Sequence, residues 1–224
     1  MRFRELKQQI HGLLNQDDFA AALDEIRHLP PRQVVNPLFS FFHSHNELLK
    51  WRAVTAMGHA VDRMVLENRK EEARVVMRRL IWNLNDESGG IGWGSPEAMG
   101  EIMARNRSMA EEYHRILLSY IMPHGNYLEH AILQRGLLWG LGRLAHEEPG
   151  YVESAVACLI PFLSSQDPFH RGLASWTAAL YDYGPANTLL RKNRDDPSIL
   201  TLYQDGVLQE VTVSSMASRK KDGF

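Results

Sequence analysis

The chain has 224 residues, 44% hydrophobic and 23% charged, which is the composition of a folded globular protein with room for one large domain or two small ones. Its 25 Lys and Arg against 27 Asp and Glu leave a formal charge of -2, which argues against a general nucleic-acid binder, since wrapping phosphate needs a basic surplus. The single cysteine, Cys158, excludes an internal disulfide and a multi-cysteine metal site; among Val156, Ala157, Leu159 and Ile160 it reads as a small buried apolar residue.

From Met1 to Lys7 charges stand where a signal peptide needs an apolar core, and no stretch approaches the roughly 18 apolar residues of a membrane span. The expected setting is cytoplasmic, without a membrane partner. Phe3, Leu6, Ile10, Leu13 and Leu14 mark one face of a first helix. Asp17 or Asp18 caps a second helix carrying Phe19, Ala22, Leu23 and Ile26, which Pro30-Pro31 stops. Paired helices then follow over 31–44 and 46–67, 69–84 and 95–105, 108–121 and 127–146, and 151–164 and 167–183. A period of roughly 36 residues over about five pairs is that of a solenoid. Trp51, Trp82, Trp139 and Trp176 fall within the helical apolar patterns and are predicted to be core.

Beyond Tyr183 the pattern changes. Pro185 to Asn193 suits a short capping helix, ended by Asp195-Asp196-Pro197. The β-rich runs 199–204 and 207–213 flank Asp205-Gly206, a dipeptide that tolerates the positive φ of a tight hairpin turn. A two-stranded hairpin is marginal alone, so it is expected to pack on the last helix pair as a terminal cap. The expected organisation is a solenoid over 1–194, a hairpin cap over 195–214, and a mobile polar tail over 215–224 that carries Arg219, Lys220 and Lys221.

The run from Leu159 to Ala174 places Pro161 late in an apolar helix, Asp167 in a polar turn and Arg171 at the start of the next helix. Weaker copies place Pro37 before Asn46 and Arg52, and Pro123 before Asn126 and Arg135, with Pro-to-Arg distances of 15, 12 and 10 residues along the chain. This pattern resembles the HEAT repeat of the armadillo-type class, and the likeness covers three of the five pairs. The resemblance implies an all-α fold, an α-solenoid of about five HEAT-like helix pairs. It also implies that the Asp and Arg columns bond the neighbouring repeat. Arg52, Arg135 and Arg171 are thereby assigned to inter-repeat bonding rather than to a basic column on the concave wall.

The segment most open to chemistry is Gly89-Gly90-Ile91-Gly92-Trp93-Gly94, directly before a helix predicted to start with Ser95 as N-cap and Pro96 in its first turn. Glycines let backbone N–H groups approach a ligand, but no Lys or Arg stands in the loop to favour phosphate. Two readings stay open. Trp93 plugs a gap between repeats, or it forms an aromatic wall beside Glu97 and Glu101, two carboxylates one helical turn apart that could do acid–base work or hold a cation. The candidate binding residues are Trp93, Glu97 and Glu101; no catalytic set is assigned. Glu25-x-x-His28 and Glu111-x-x-His114 have the spacing used in di-iron bundles, but helices so far apart in a solenoid do not share a core, and neither a metal nor a cofactor is expected. The expected function is a protein-interaction scaffold that takes a protein partner on its concave face. Through the resemblance, the alternative is an enzyme of the bilin-lyase-like or glycosylase-like HEAT class with its site near residues 87–101.

Overall fold

The computed structural model describes residues 3–85 and 92–218, and among these the one sheet is a two-stranded antiparallel hairpin. The first pair is α1 (Phe3–Leu14) and α2 (Phe19–His28), the latter capped by Asp18, whose carboxylate accepts the Ala21 N–H at 3.0 Å. Next come α3 (Pro31–Phe41) and α4 (Glu47–Leu66), where the Asn46 side chain accepts the Leu49 N–H at 3.1 Å. After α5 (Lys70–Asn85) and α6 (Ser95–Arg105) stand α7 (Arg107–Ser119) and α8 (Ala131–Glu147). The first helix of the last pair departs from the regular pattern. Two 3₁₀ segments, Pro149–Tyr151 and Glu153–Leu159, lead into the short α9 (Ile160–Leu163) before α10 (Pro168–Ala178). The chain then forms α11 (Gly184–Asn193), β1 (Ile199–Gln204), β2 (Val207–Thr212) and α12 (Val213–Ser218).

The predicted α-solenoid with a C-terminal hairpin is the architecture that forms. Its second helices, α4, α6, α8 and α10, pack side by side in chain order. At the centre of this row α6 is buried from Ser95 through Met103. Its approach to α8 is close because glycine faces glycine: a Cβ on Gly100 would overlap the Gly140 backbone, and one on Gly140 would stand 2.6 Å from the Pro96 carbonyl oxygen. Large side chains such as Trp176, Met57, Leu80 and Ile102 are fully buried in the core. Each contributes about 1.5–3 kcal/mol of transfer free energy.

The repeats are also pinned by charge. Asp167 caps α10 through the Phe169 N–H at 2.9 Å and receives Arg135 Nε of α8 at 2.8 Å. Arg171 repeats the device on Asp196, at 2.7 Å from its Nε. Burial opposes the ionisation of Asp196, but hydrogen bonds from Arg171 and Ser198 outweigh it and hold the carboxyl down at about 2. Arg52 reaches the other way along the solenoid, to the carbonyls of Leu14 and Gln16 at 2.9 and 2.7 Å.

In the hairpin Gln204 pairs with Val207 and Ile199 with Thr212, and both turn residues have positive φ, 51° at Asp205 and 82° at Gly206. Leu200 fills the space above Gly172 of α10, while the tip runs on to the opposite end of the chain, where Gly206 meets Phe19 of α2. Three expectations are corrected. Trp82 is not core but 63% exposed on α5. Residues 215–218 are not part of a mobile tail: α12 buries Val213, Met216 and Ala217, and it packs on α10 and α11. Ser95 is not the N-cap of α6; Gly94 is, with the left-handed φ of 73° that glycine adopts without strain. The glycine-rich run 87–91 and the basic run 219–221 lie outside the described residues.

Candidate functional site

The hairpin tip lies on the wall made by the second helices, and aromatic rings hold it there. Trp51 of α4 and Trp139 of α8 come within 4.7 Å of each other, centroid to centroid. Tyr203 stacks on Trp51 at 5.2 Å with the ring planes 12° apart. Its hydroxyl shares a 2.8 Å hydrogen bond with Thr55, and burial pushes its phenol above the usual range. Two side-chain donors grip the hairpin main chain: the Trp139 indole N–H donates to the Tyr203 carbonyl at 3.1 Å, and Arg52 Nε to the Gly206 carbonyl at 2.9 Å. The same Arg52 guanidinium lies over the Phe19 ring, 4.7 Å from its centroid.

Beneath the tip is a half-enclosed cavity of about 340 Å³. Phe19, Leu23 and Trp139 give it apolar walls, and Thr55 and Tyr203 also line it. Its polar side is Glu101 between two arginines. Arg143 Nε donates to one Glu101 oxygen at 2.9 Å, Arg105 Nε donates to the other, and Arg143 Nη1 reaches Glu147 at 2.8 Å. Glu101 fits because α4 carries glycine opposite it: a Cβ on Gly58 would lie 2.7 Å from Glu101 Cγ. The terminal nitrogens of Arg105 have no partner among the described residues, and its side chain is 26% exposed. His59 is driven down to about 3, first by burial and then by Arg105, Arg27 and Arg143.

The three residues singled out from the sequence fall in three surroundings. Trp93 is half-buried, edge-on to His130 at 6.0 Å. Glu97 is buried near Lys50, whose amine stands 3.7 Å from Oε1; Gly136 leaves room for it, and Oε2 has no partner among the described residues. Burial raises the Glu97 carboxyl above its ordinary value despite the attraction of Lys50. Glu101 alone lines the cavity. Neither carboxylate faces solvent: Glu97 and Glu101 are 4% and 2% exposed. Sequence reasoning missed the tip contacts of Trp51, Trp139 and Arg52 and the pairing of Arg105 and Arg143 with Glu101. The available signal was the glycines at 58, 100, 136 and 140, unfavourable inside helices unless something packs against them.

His28 and His114 each hydrogen-bond, through Nδ1 at 2.8 Å, the carbonyl one turn back on their own helix, Asp24 and Ala110. No helix among the described residues is long and apolar enough to cross a membrane.

No family model matches the chain. A protein of Archaeoglobus fulgidus, described as uncharacterized, is 28% identical over 108 residues, 48% of this chain and 52% of that protein, so the chain spans about half the length of this relative. Among solved structures, a designed armadillo repeat protein in complex with the peptide (KR)4 aligns with a TM-score of 0.48 and 16% identity over 85% of this chain and 92% of that one. A second designed armadillo repeat protein aligns with a TM-score of 0.46 and 15% identity, over 95% of this chain and 96% of the other. The likeness is one of shape.

Proposed function

We propose that the chain is a protein-interaction module whose concave wall takes an extended segment, and that its own hairpin is the resident occupant. The observation that carries this reading is the way the tip is held. Trp139 and Arg52 donate to main-chain carbonyls, and a single aromatic side chain, Tyr203, is stacked on Trp51. Main-chain hydrogen bonds for affinity with side-chain pockets for specificity are one way in which folded domains take extended peptides. A partner segment that presents an aromatic residue would make the same contacts in place of the hairpin, or would dock once the tip lifts. Glu97 and Trp93 have no direct part in this reading, and Glu101 serves it by orienting Arg105 and Arg143.

The test uses the full chain and its Tyr203→Ala variant as baits in an extract of the native cell. The module reading expects proteins held more strongly by the variant and released by excess synthetic peptide spanning residues 197–213. If bound proteins are unaffected by that peptide, or if wild type and variant retain nothing specific, the concave wall is not a segment-binding surface.

A further inference from the structure

The cavity beneath the hairpin tip carries an inference independent of the interaction reading. We propose that it binds a small organic monocarboxylate with a flat apolar body, the carboxylate on Arg105 and the body against Trp139 and Phe19. Its volume of about 340 Å³ lies within the range of small-ligand pockets. Two of the carboxylates that line it are paired with its arginines. Glu101 has both oxygens engaged by guanidinium nitrogens, and Glu147 is tied to Arg143. Arg105 donates through Nε only, which fixes the plane of its guanidinium and leaves its two terminal nitrogens for a bidentate acceptor.

A second donor stands on the same wall. Thr55 and Tyr203 share one hydrogen bond between two hydroxyls, so one O–H of the pair remains to be given. Asp205 also lines the cavity, and its charge selects a single carboxylate over a dianion such as a phosphate monoester. Phe19, Leu23 and Trp139 supply apolar walls for a ring.

The wild-type protein would be titrated with 2-naphthoate and benzoate and with their neutral amides, 2-naphthamide and benzamide, following binding by ligand-observed NMR. The acids should bind at least about tenfold more tightly than the amides, the difference expected of a charge-assisted pair. Arg105→Gln should weaken the acids by about tenfold and leave the amides unchanged, with Arg105→Lys recovering part of the loss. Should Arg105→Gln fail to fold by circular dichroism, Thr55→Val takes its place and should weaken the acids severalfold. Acids and amides of equal affinity, no binding of either, or an Arg105→Gln variant that keeps its affinity for acids would overturn the proposal. N-acetyl-Ala-Phe with a free or an amidated terminus separates the two sources of such a group: tighter binding of the free dipeptide than of 2-naphthoate assigns the carboxylate to a chain end, and the reverse to a free small acid.

Discussion

Glu97 and Glu101 occupy the same face of α6 one turn apart, yet the fold treats them oppositely. Glu101 receives a guanidinium N–H on each oxygen and lines a cavity. Glu97 has one amine at 3.7 Å, an oxygen without a partner among the described residues, and a carboxyl that burial pushes toward its neutral form. Spacing set their common side of the helix, but neighbours on α4 and α8 set their chemistry. A periodic pattern finds a face; it does not identify the groups that cover it.

The largest effect expected is at Glu101. Removing it by Glu101→Ala takes from Arg143, whose side chain is 7% exposed, the buried carboxylate on its Nε and leaves it the more exposed Glu147. The cost should be about 3–5 kcal/mol in a urea titration, as for other broken buried pairs. A loss below about 1 kcal/mol would mean that Glu147 and water suffice for Arg143, and that the two carboxylates are not different in kind. Next comes Gly100→Ala, which forces a methyl group into the Gly140 backbone and separates the helices on which both carboxylates depend. It should cost about 1–3 kcal/mol or more and lower the thermal midpoint. Away from this pair, Asp167→Ala removes the cap of α10 and the partner of Arg135, and should cost about 0.5–2 kcal/mol.

The smallest effect is at Glu97, where its sign matters more than its size. Burial raises this carboxyl above its ordinary 4.5, so the folded chain keeps a proton that the unfolded chain releases. The stability tied to that proton is present below about pH 4.5 and is lost as the pH rises through the raised value. Glutamine has no proton to lose. Glu97→Gln should therefore stay within about 1 kcal/mol of wild type and improve relative to it as the pH is raised from about 4.5 to 8 in parallel urea titrations. Asp196, held down at about 2, runs the other way, its contribution being lost as the pH falls toward that value. A Glu97→Gln variant that loses ground with rising pH would erase the contrast with Glu101.

The helices and the hairpin were legible because their signals are local. Apolar residues recur every three or four positions, Asp18, Asn46 and Asp167 cap α2, α4 and α10, and Asp205-Gly206 permits the tight turn. The pairing of Arg135 and Arg171 with the neighbouring element was legible through the resemblance. The destination of the hairpin was not: Thr55 and Tyr203 are 148 residues apart, Arg52 and Gly206 are 154, and no local pattern links them. Ser95 misled because Ser before Pro is a common helix start, whereas the positive φ actually needed falls on Gly94. Trp82 misled because helical periodicity cannot tell an inner stripe from an outer one near its edge.

The central claim is that the concave wall grips the hairpin as it would a separate segment, through a hold weaker than the core beneath. Native-state hydrogen exchange tests it directly, amide by amide. The account predicts that amides of residues 200–212 exchange through an opening of lower free energy than those of α4 and α8, and that Tyr203→Ala removes their protection while α4 and α8 keep theirs. Hairpin amides that exchange only with global unfolding, in wild type and variant alike, would contradict it and make the hairpin a permanent part of the core.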